Sequence, residues 1–290
     1  MGAIIDRITE FIKEMLQGWV LSNLENMFTD VNTKVGSIAA EVSKTPADWN
    51  AGIFSMVRNL SDTVVVPIAG MVITFVLCYE LINMVMEKNN MHDIGSAQIF
   101  QYLFKACIAV LLVSHTSDFV LGIFDVGSHL VRSAGSVISA DTSINVESTL
   151  KTMFNNQLST MEIGELIGLG METMVVGFAM KIMSVLITVI LYGRMVEVYC
   201  CISIAPIPFA TLANREWGAV GSNYIKGIAA LAIQGFFIMI CVGIYAVLVS
   251  GISVASNLHS ALWSVMAYTV ILCFSLFKTG TLAKSIMAAH

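Results

Sequence analysis

The sequence predicts an all-α fold, a polytopic bundle of membrane-spanning helices. The 290 residues are 57% hydrophobic and only 12% charged, whereas soluble domains carry about 25% charged residues on a water-facing surface. The stretch Gly227–Phe277 contains no Asp, Glu, Lys or Arg, and it is long enough to cross a hydrocarbon core of ~30 Å twice. Its apolar residues run continuously, without the period-two alternation of barrel strands, and this favours helices.

The N-terminal segment contains an amphipathic stretch that predicts a helix. Its apolar residues recur at spacings of three and four, as they do along one face of a helix. Acidic residues at Asp6, Glu10 and Glu14 interrupt the run, which is therefore unlike a signal peptide. The helix could lie in the membrane interface, anchored by Trp19, or pack on a partner helix, and its partly acidic polar face slightly favours packing. The apolar residues are Ile4, Ile5, Ile8, Phe11, Ile12, Met15, Leu16 and Trp19.

Five further segments are apolar and long enough to cross the bilayer as helices. A sixth apolar segment, residues 198–212, is short and carries Pro206 and Pro208, which remove helix hydrogen-bond donors and kink the chain. We therefore expect a Pro-broken or re-entrant segment there in place of a full crossing. The predicted spans are residues 63–86, 99–124, 171–193, 225–249 and 261–278.

The distribution of Lys and Arg predicts the orientation, because short cytoplasmic loops are enriched in basic residues. Five crossings collect seven of the fifteen Lys and Arg residues on one side, whereas a sixth crossing would divide this set. Arg132, Lys151 and the basic residues of the N-terminal segment count against the scheme, although long segments weigh less in the rule. We expect residues 1–61 to form an extracytoplasmic segment and residues 62–290 the transmembrane domain, with an external loop at about 133–170. The N-terminus is then outside and the C-terminus is in the cytoplasm. The basic residues collected are Lys88, Lys105, Arg194, Arg215, Lys226, Lys278 and Lys284.

A polar stripe is predicted on the helix that follows Val113. If that helix continues, six residues recur at spacings of three and four and share one face. Ionisable groups at membrane depth usually face a bundle interior or a water-filled cavity, so His115, Asp118 and Asp125 are candidate pore-lining residues. From Asp125 onward, a solvent-facing helix that has left the bilayer explains the pattern better. The stripe consists of His115, Asp118, Gly122, Asp125, His129 and Arg132.

A second polar stripe, also at helical spacing, lies on the predicted span 171–193. Lys181 stands near the middle of this span, where a lone ammonium costs roughly 2.5–3.5 kcal/mol on insertion scales. Its charge should therefore meet a carboxylate, and Asp118 or Asp125 is the natural candidate. The stripe consists of Gly177, Lys181, Ser184 and Thr188, of which the last three are further candidate pore-lining or intramembrane polar residues.

A second ion pair is expected near one end of the first span. Glu80 stands in the last turns of that span, and Lys105 stands on the neighbouring antiparallel span. Paired carboxylate and ammonium groups would lower the cost of holding either charge close to lipid.

Several functional classes find no support in the sequence. Asp118 and Asp125 would lie about 10 Å apart on one helix, too far to bind one ion together, so no metal site is predicted. Motifs for zinc proteases, serine hydrolases and nucleotide binding are absent, and we expect no cofactor and no enzymatic activity. The net charge is −5 and the sequence contains no basic stripe, so direct charge-driven binding of nucleic acid is not expected.

The order of several short motifs resembles that of the TrbL-like polytopic proteins of conjugative type IV secretion systems, particularly those on mobile elements of Gram-positive bacteria. Each motif is structural, and the resemblance covers nearly the whole chain. The motifs are Trp49-Asn50, Pro67-Ile-Ala-Gly70, Tyr79-Glu-Leu-Ile82, Asn89-Asn-Met-His-Asp93, Phe104-Lys105, Ala205-Pro-Ile-Pro-Phe-Ala210, Asn214-Arg-Glu-Trp217 and Gln234-Gly-Phe-Phe237.

This resemblance implies a component of a mating apparatus in the bacterial cell membrane. Its expected partners are membrane lipids, other copies of the chain in a ring-like oligomer, and further conjugation subunits that include transfer ATPases. Its expected role is to help move relaxase–DNA or pilus subunits across the membrane. The residues leave one alternative open, a self-contained transporter or ion channel that uses an intramembrane cluster of His115, Asp118 and Lys181.

Overall fold

The computed structural model describes residues 2–86, 96–141, 157–252 and 258–289. All regular secondary structure in these ranges is helical, which confirms the predicted all-α class. A π-helical turn, Ser61–Val65, joins the third helix to the fourth without a break. The helices, labelled in chain order, are α1 Gly2–Val42, α2 Pro46–Trp49, α3 Ala51–Leu60, α4 Val66–Met86, α5 Ser96–Ser114, α6 Thr116–Asp141, α7 Ile163–Ile204, α8 Pro206–Thr211, α9 Gly218–Gly251 and α10 Leu258–Ile286.

Five helical segments are long and apolar enough to cross a membrane, as predicted. Length and composition identify them, and many of their apolar side chains are exposed, as lipid-facing side chains are. The N-terminal α1 does not meet these criteria in the described residues. The segments are Ala51–Met86, Ser96–Ser114, Ile163–Ile204, Gly218–Gly251 and Leu258–Ile286.

The helix break predicted from the two prolines is confirmed. Helix α7 ends at Ile204, and α8 begins at Pro206. Proline is tolerated at the first position of a helix, because an N–H group there would have no partner within the helix. At six residues α8 is about 9 Å long, far short of a crossing. It packs against α4 and α5, with Phe209 and Ala210 buried.

The predicted span at residues 99–124 is wrong in its extent, because the helix does not continue through His115. Three consecutive side chains compete for carbonyls in the last turns of α5. Ser114 donates to the Val110 carbonyl (2.9 Å), His115 Nδ1 lies 3.2 Å from the Leu111 carbonyl oxygen, and the Thr116 hydroxyl bonds the Leu112 and Val113 carbonyls. Helix α5 therefore ends at Ser114, and α6 starts again at Thr116.

Two other predicted boundaries are also shifted. The external loop expected at about 133–170 is partly helical, since α6 runs to Asp141 and α7 begins at Ile163. The span expected to end at residue 193 continues to Ile204, which makes α7 42 residues and about 63 Å long. The motif at 89–93 and residues 142–156 lie outside the described residues.

The chain divides into two compact units, and four long helices contribute residues to both. The first unit comprises Met1–Val42, Ser133–Leu191 and Ile238–Lys278. The second comprises Ser43–Arg132, Tyr192–Phe237 and Thr279–His290.

In the first unit, α1 packs directly against α7. Trp19 lies against Gly170, where any side chain would overlap the indole ring, and next to it Val20 and Leu24 are fully buried. Asn23 donates to the Thr173 hydroxyl at 3.3 Å. The sequence left open whether Trp19 anchors the helix in lipid or packs on a partner helix, and the described contact is with α7.

In the second unit, the segment before the first span is fixed in place by α7. The Tyr199 hydroxyl donates to the Pro46 carbonyl (2.7 Å), and Trp49 contacts the rings of Tyr192 and Tyr199 with centroids 5.1 and 5.9 Å away. The Asn50 side chain caps α3 by accepting the Ile53 N–H at 2.9 Å. The motif Trp49-Asn50 therefore combines a packing residue with a helix cap.

Candidate functional site

A cavity of about 520 Å³ lies inside the first unit, among α1, α7, α9 and α10. Lys181 and Ser184, both singled out in the sequence, line it from α7, while Thr188 stands one turn further along and donates to the Ser184 carbonyl at 3.0 Å. Other polar groups line it from three further helices. The polar lining residues are Asp30, Thr33, Ser37, Lys181, Ser184, Tyr245 and Thr269.

The carboxylate that shares this cavity with Lys181 is Asp30 of α1. On the opposite wall, the buried hydroxyls of Tyr245 and Thr269 are hydrogen bonded at 2.9 Å, and Thr269 also donates to the Val265 carbonyl. One ammonium, one carboxylate and several hydroxyls thus gather in a space bounded by apolar helices. Such a space can hold water and solvate a charge at membrane depth.

The stripe on α6 lies in the second unit, where its two ends approach residues 43–62, around the start of the first span. Asp118 lies 3.5 Å from the Arg58 guanidinium, which is also 3.8 Å from Asp62. At the other end, Arg132 lies 4.0 Å from Asp48 and 3.5 Å from the Ser43 carbonyl. These ion pairs are exposed and stabilise by at most about 1 kcal/mol each.

The predicted pore-lining group is therefore divided between the two units. His115 is in the exposed turn after α5, and Asp118 and Asp125 are exposed on α6. The expected pairing of Lys181 with Asp118 or Asp125 joins residues of different units and stays a prediction.

A pocket of about 330 Å³ surrounds the second expected ion pair; it is called the Glu80 pocket below. Lys105 Nζ lies 3.7 Å from Glu80 Oε1, and Asn214 donates to Glu80 Oε2 at 3.3 Å. The Glu80 side chain is only 19% exposed. The pocket is lined by Glu80, Asn83, Met84, Gln98, Gln101, Tyr102, Lys105, Arg215 and Glu216.

Arg194 is a buried cation, although the sequence predicts it as a cytoplasmic residue at the end of a span. Only 8% exposed, it donates from Nη2 to the Leu231 carbonyl of α9 at 3.1 Å, while its Nε has no hydrogen-bond partner among the described residues. One turn along α9, Gln234 donates to the Thr279 hydroxyl at 3.3 Å. A charged residue after an apolar run resembles the end of a span, and Arg194 was therefore assigned to the cytoplasmic set, but α7 continues past it.

Asp30, Tyr245 and Thr269 are the other residues that sequence reasoning missed. A signal for Asp30 existed, because Asp30, Thr33 and Ser37 recur at helical spacing on α1, beyond the amphipathic stretch that ends at Trp19. Among the described residues, no group of three or more His, Cys, Asp or Glu could hold a metal ion.

Comparison with known protein families identifies a match over residues 31–206, more than half of the chain, to the TrbL/VirB6 plasmid conjugal transfer-like proteins. The chain belongs to this family. No curated protein and no solved structure matches it.

Membership of the TrbL/VirB6 family confirms the resemblance read from the ordered motifs, and it makes the chain a multi-pass membrane component of conjugal transfer. The family match includes Lys181 and Ser184. It ends at Pro206, so Tyr245 and Thr269 on the far wall of the cavity lie beyond it.

Proposed function

We propose that this chain is a non-enzymatic channel or platform subunit of a conjugative type IV secretion apparatus in the bacterial cell membrane. It helps to move relaxase–DNA or pilus subunits across that membrane. Family membership and five candidate spans support a place in the machine. The cavity around Lys181 supports an active part in transport, because a passive anchor has no need of a space lined by charged and polar side chains.

The proposed orientation has the N-terminus outside and the C-terminus in the cytoplasm, with residues 1–61 extracytoplasmic and residues 62–290 forming the transmembrane domain. Seven of the fifteen Lys and Arg residues fall on the proposed cytoplasmic side, and the short turn at residues 250–260, on the other side, has none; this distribution supports the orientation. The brevity of α8 supports an odd number of crossings, since this element is too short to add a sixth.

The proposed partners are membrane lipids, further copies of the chain in a ring, and other conjugation subunits that include transfer ATPases. Gly164 and Gly168 support contact with another helix, because a Cβ at either position would have nothing within 4 Å among the described residues. The small-xxx-small spacing of this pair suits close helix approach. The net charge of the chain is negative, so we do not expect it to bind DNA by charge alone.

A transfer experiment tests this function. The gene is deleted in frame from the mobile element that encodes it, and transfer to a recipient is counted with and without a plasmid copy of the gene. We expect deletion to abolish transfer and the plasmid copy to restore it. Transfer at the wild-type frequency after deletion would exclude the proposed function.

No described contact favours the alternative of a self-contained transporter. That function depended on one cluster of His115, Asp118 and Lys181. Asp118 is paired with Arg58, and membership of the conjugal transfer family does not favour this alternative.

A further inference from the structure

The Glu80 pocket is a polar site at the end of α4 and the beginning of α5, and hydrogen bonds hold the residues around it in place. The buried Asn214 fixes one side of the pocket. Its side-chain oxygen accepts hydrogen bonds from the backbone N–H groups of Glu216 and Trp217 at 2.7 and 2.9 Å, and its side-chain nitrogen donates to Glu80. The Tyr79 hydroxyl donates to Glu216 at 3.0 Å. Two hydrogen bonds, from Asn214 to Glu80 and from Tyr79 to Glu216, thus hold the loop that carries Arg215 against α4.

The charges in the pocket are balanced in number but incompletely paired. Lys105 is well exposed and only loosely paired with Glu80 at 3.7 Å. Arg215 lines the pocket with no ion pair in the described part of the chain. The Gln98 side-chain oxygen is buried there without a hydrogen-bond partner among the described residues. The pocket therefore offers two cationic groups, two carboxylates and a buried hydrogen-bond acceptor. This set suits a ligand that carries one positive and one negative charge.

Aromatic and apolar surface adjoins this polar pocket. Trp217 stacks between Phe75 and Tyr79, with ring centroids 5.5 and 5.4 Å away. Trp and Tyr concentrate at the headgroup level of membranes, where their rings meet both lipid and water. Ile82 on α4 and Phe100 on α5 are exposed, as lipid-facing side chains are.

From this arrangement we propose that the Glu80 pocket binds the headgroup of a zwitterionic phospholipid that carries a phosphate and a primary ammonium, as phosphatidylethanolamine does. The phosphate lies between Lys105 and Arg215, and the ammonium lies between the carboxylates of Glu80 and Glu216. Charge-assisted hydrogen bonds at both ends of the headgroup select it over an anionic lipid that lacks the ammonium. The acyl chains run along the exposed apolar side chains of α4 and α5. The inference concerns lipid binding alone and stands whether or not the cavity around Lys181 takes part in transfer.

Native mass spectrometry of the full-length protein tests the site, with phosphatidylethanolamine and phosphatidylglycerol titrated separately in mild detergent. Arg215→Gln removes a phosphate partner without loss of an intramolecular ion pair, and Glu216→Gln removes an ammonium partner. Lys278→Gln is the matched control, because Lys278 is an exposed cation on α10 outside the pocket. Thermal stability of each variant in the same detergent shows that it is folded.

We expect the wild type to bind phosphatidylethanolamine more tightly than phosphatidylglycerol. Each pocket variant should lose about tenfold in affinity for the former, as the loss of one charge-assisted hydrogen bond predicts, and Lys278→Gln should lose none. Equal binding of the two lipids, undiminished binding by folded Arg215→Gln, or an equal loss in Lys278→Gln would overturn the proposal.

Discussion

Two glycines near the start of α7, Gly168 and Gly170, face different surroundings. A Cβ built at Gly168 meets nothing within 4 Å, whereas one built at Gly170 overlaps the Trp19 ring. The contact of α1 with α7 therefore depends on the missing side chain at Gly170 and on the indole that fills its place. The apolar face of α1 before Trp19 is exposed, so this contact begins the buried part of the helix.

Gly170→Ala should loosen α1 from α7. The methyl group must displace the Trp19 ring, and overpacking of this kind costs about 1–3 kcal/mol. We expect a lower melting temperature in detergent and faster protease cleavage within the first 20 residues. Gly193→Ala, on the same helix at a position where a Cβ also meets nothing within 4 Å, is the control and should leave both properties unchanged. If the effect comes from Trp19, adding Gly170→Ala to Trp19→Ala should cost little more than Trp19→Ala alone; full additivity would contradict the contact.

Single residues were predictable where local spacing decides their position. Lys181 and Ser184 share a helix face at a spacing of three, and they do line one cavity. Local spacing marks Asp30 as part of a polar stripe on α1 but does not show what surrounds it, and it gives no signal for the burial of Arg194. Their surroundings come from chain segments far away in sequence, α7 for Asp30 and the Leu231 carbonyl for Arg194, and a single sequence without structure does not bring these together.

At the scale of elements, the sequence predicted the number of membrane spans better than the residues at which the helices begin and end. Apolar runs set the number of spans, and the rigid ring of Pro206 sets one break. The break at His115 depends on side chains that bond to backbone carbonyls, a competition that an apolar pattern does not record. Close packing also shapes elements: a Cβ at Gly127 of α6 would lie 2.8 Å from the Ala232 carbonyl oxygen of α9.

The length of α8 leads to a prediction about the two termini. Five crossings place them on opposite sides of the membrane, whereas a sixth crossing through 198–212 would place them on the same side. Epitope tags at each end, probed with antibody in intact and in permeabilised cells, distinguish these outcomes. We expect the N-terminal tag to be detected in intact cells and the C-terminal tag only after permeabilisation. Detection of both tags under the same condition would rule out five crossings.

At the scale of the whole molecule, two kinds of observation agree. Family membership places the chain in conjugal transfer, and the five apolar helical segments make it a multi-pass membrane protein. The part that best distinguishes it from an anchor is the cavity lined by Lys181 and Asp30, because the span that carries Lys181 would insert into a membrane more easily without that charge. We therefore propose that this cavity takes part in transfer.

Lys181→Leu gives the most direct test of that assignment. Leucine inserts more readily than lysine at the centre of a span, so failed insertion does not explain a defect in the variant. The matched control is Lys278→Leu, at an exposed position on α10. Both variants replace the native gene on the mobile element, and membrane accumulation is measured by immunoblot beside the transfer frequency. The account predicts that Lys181→Leu accumulates normally but transfers at least about tenfold less often than the control, the loss expected if a charge-dependent step is weakened by about 1.4 kcal/mol. Normal accumulation with transfer at the control frequency would contradict it.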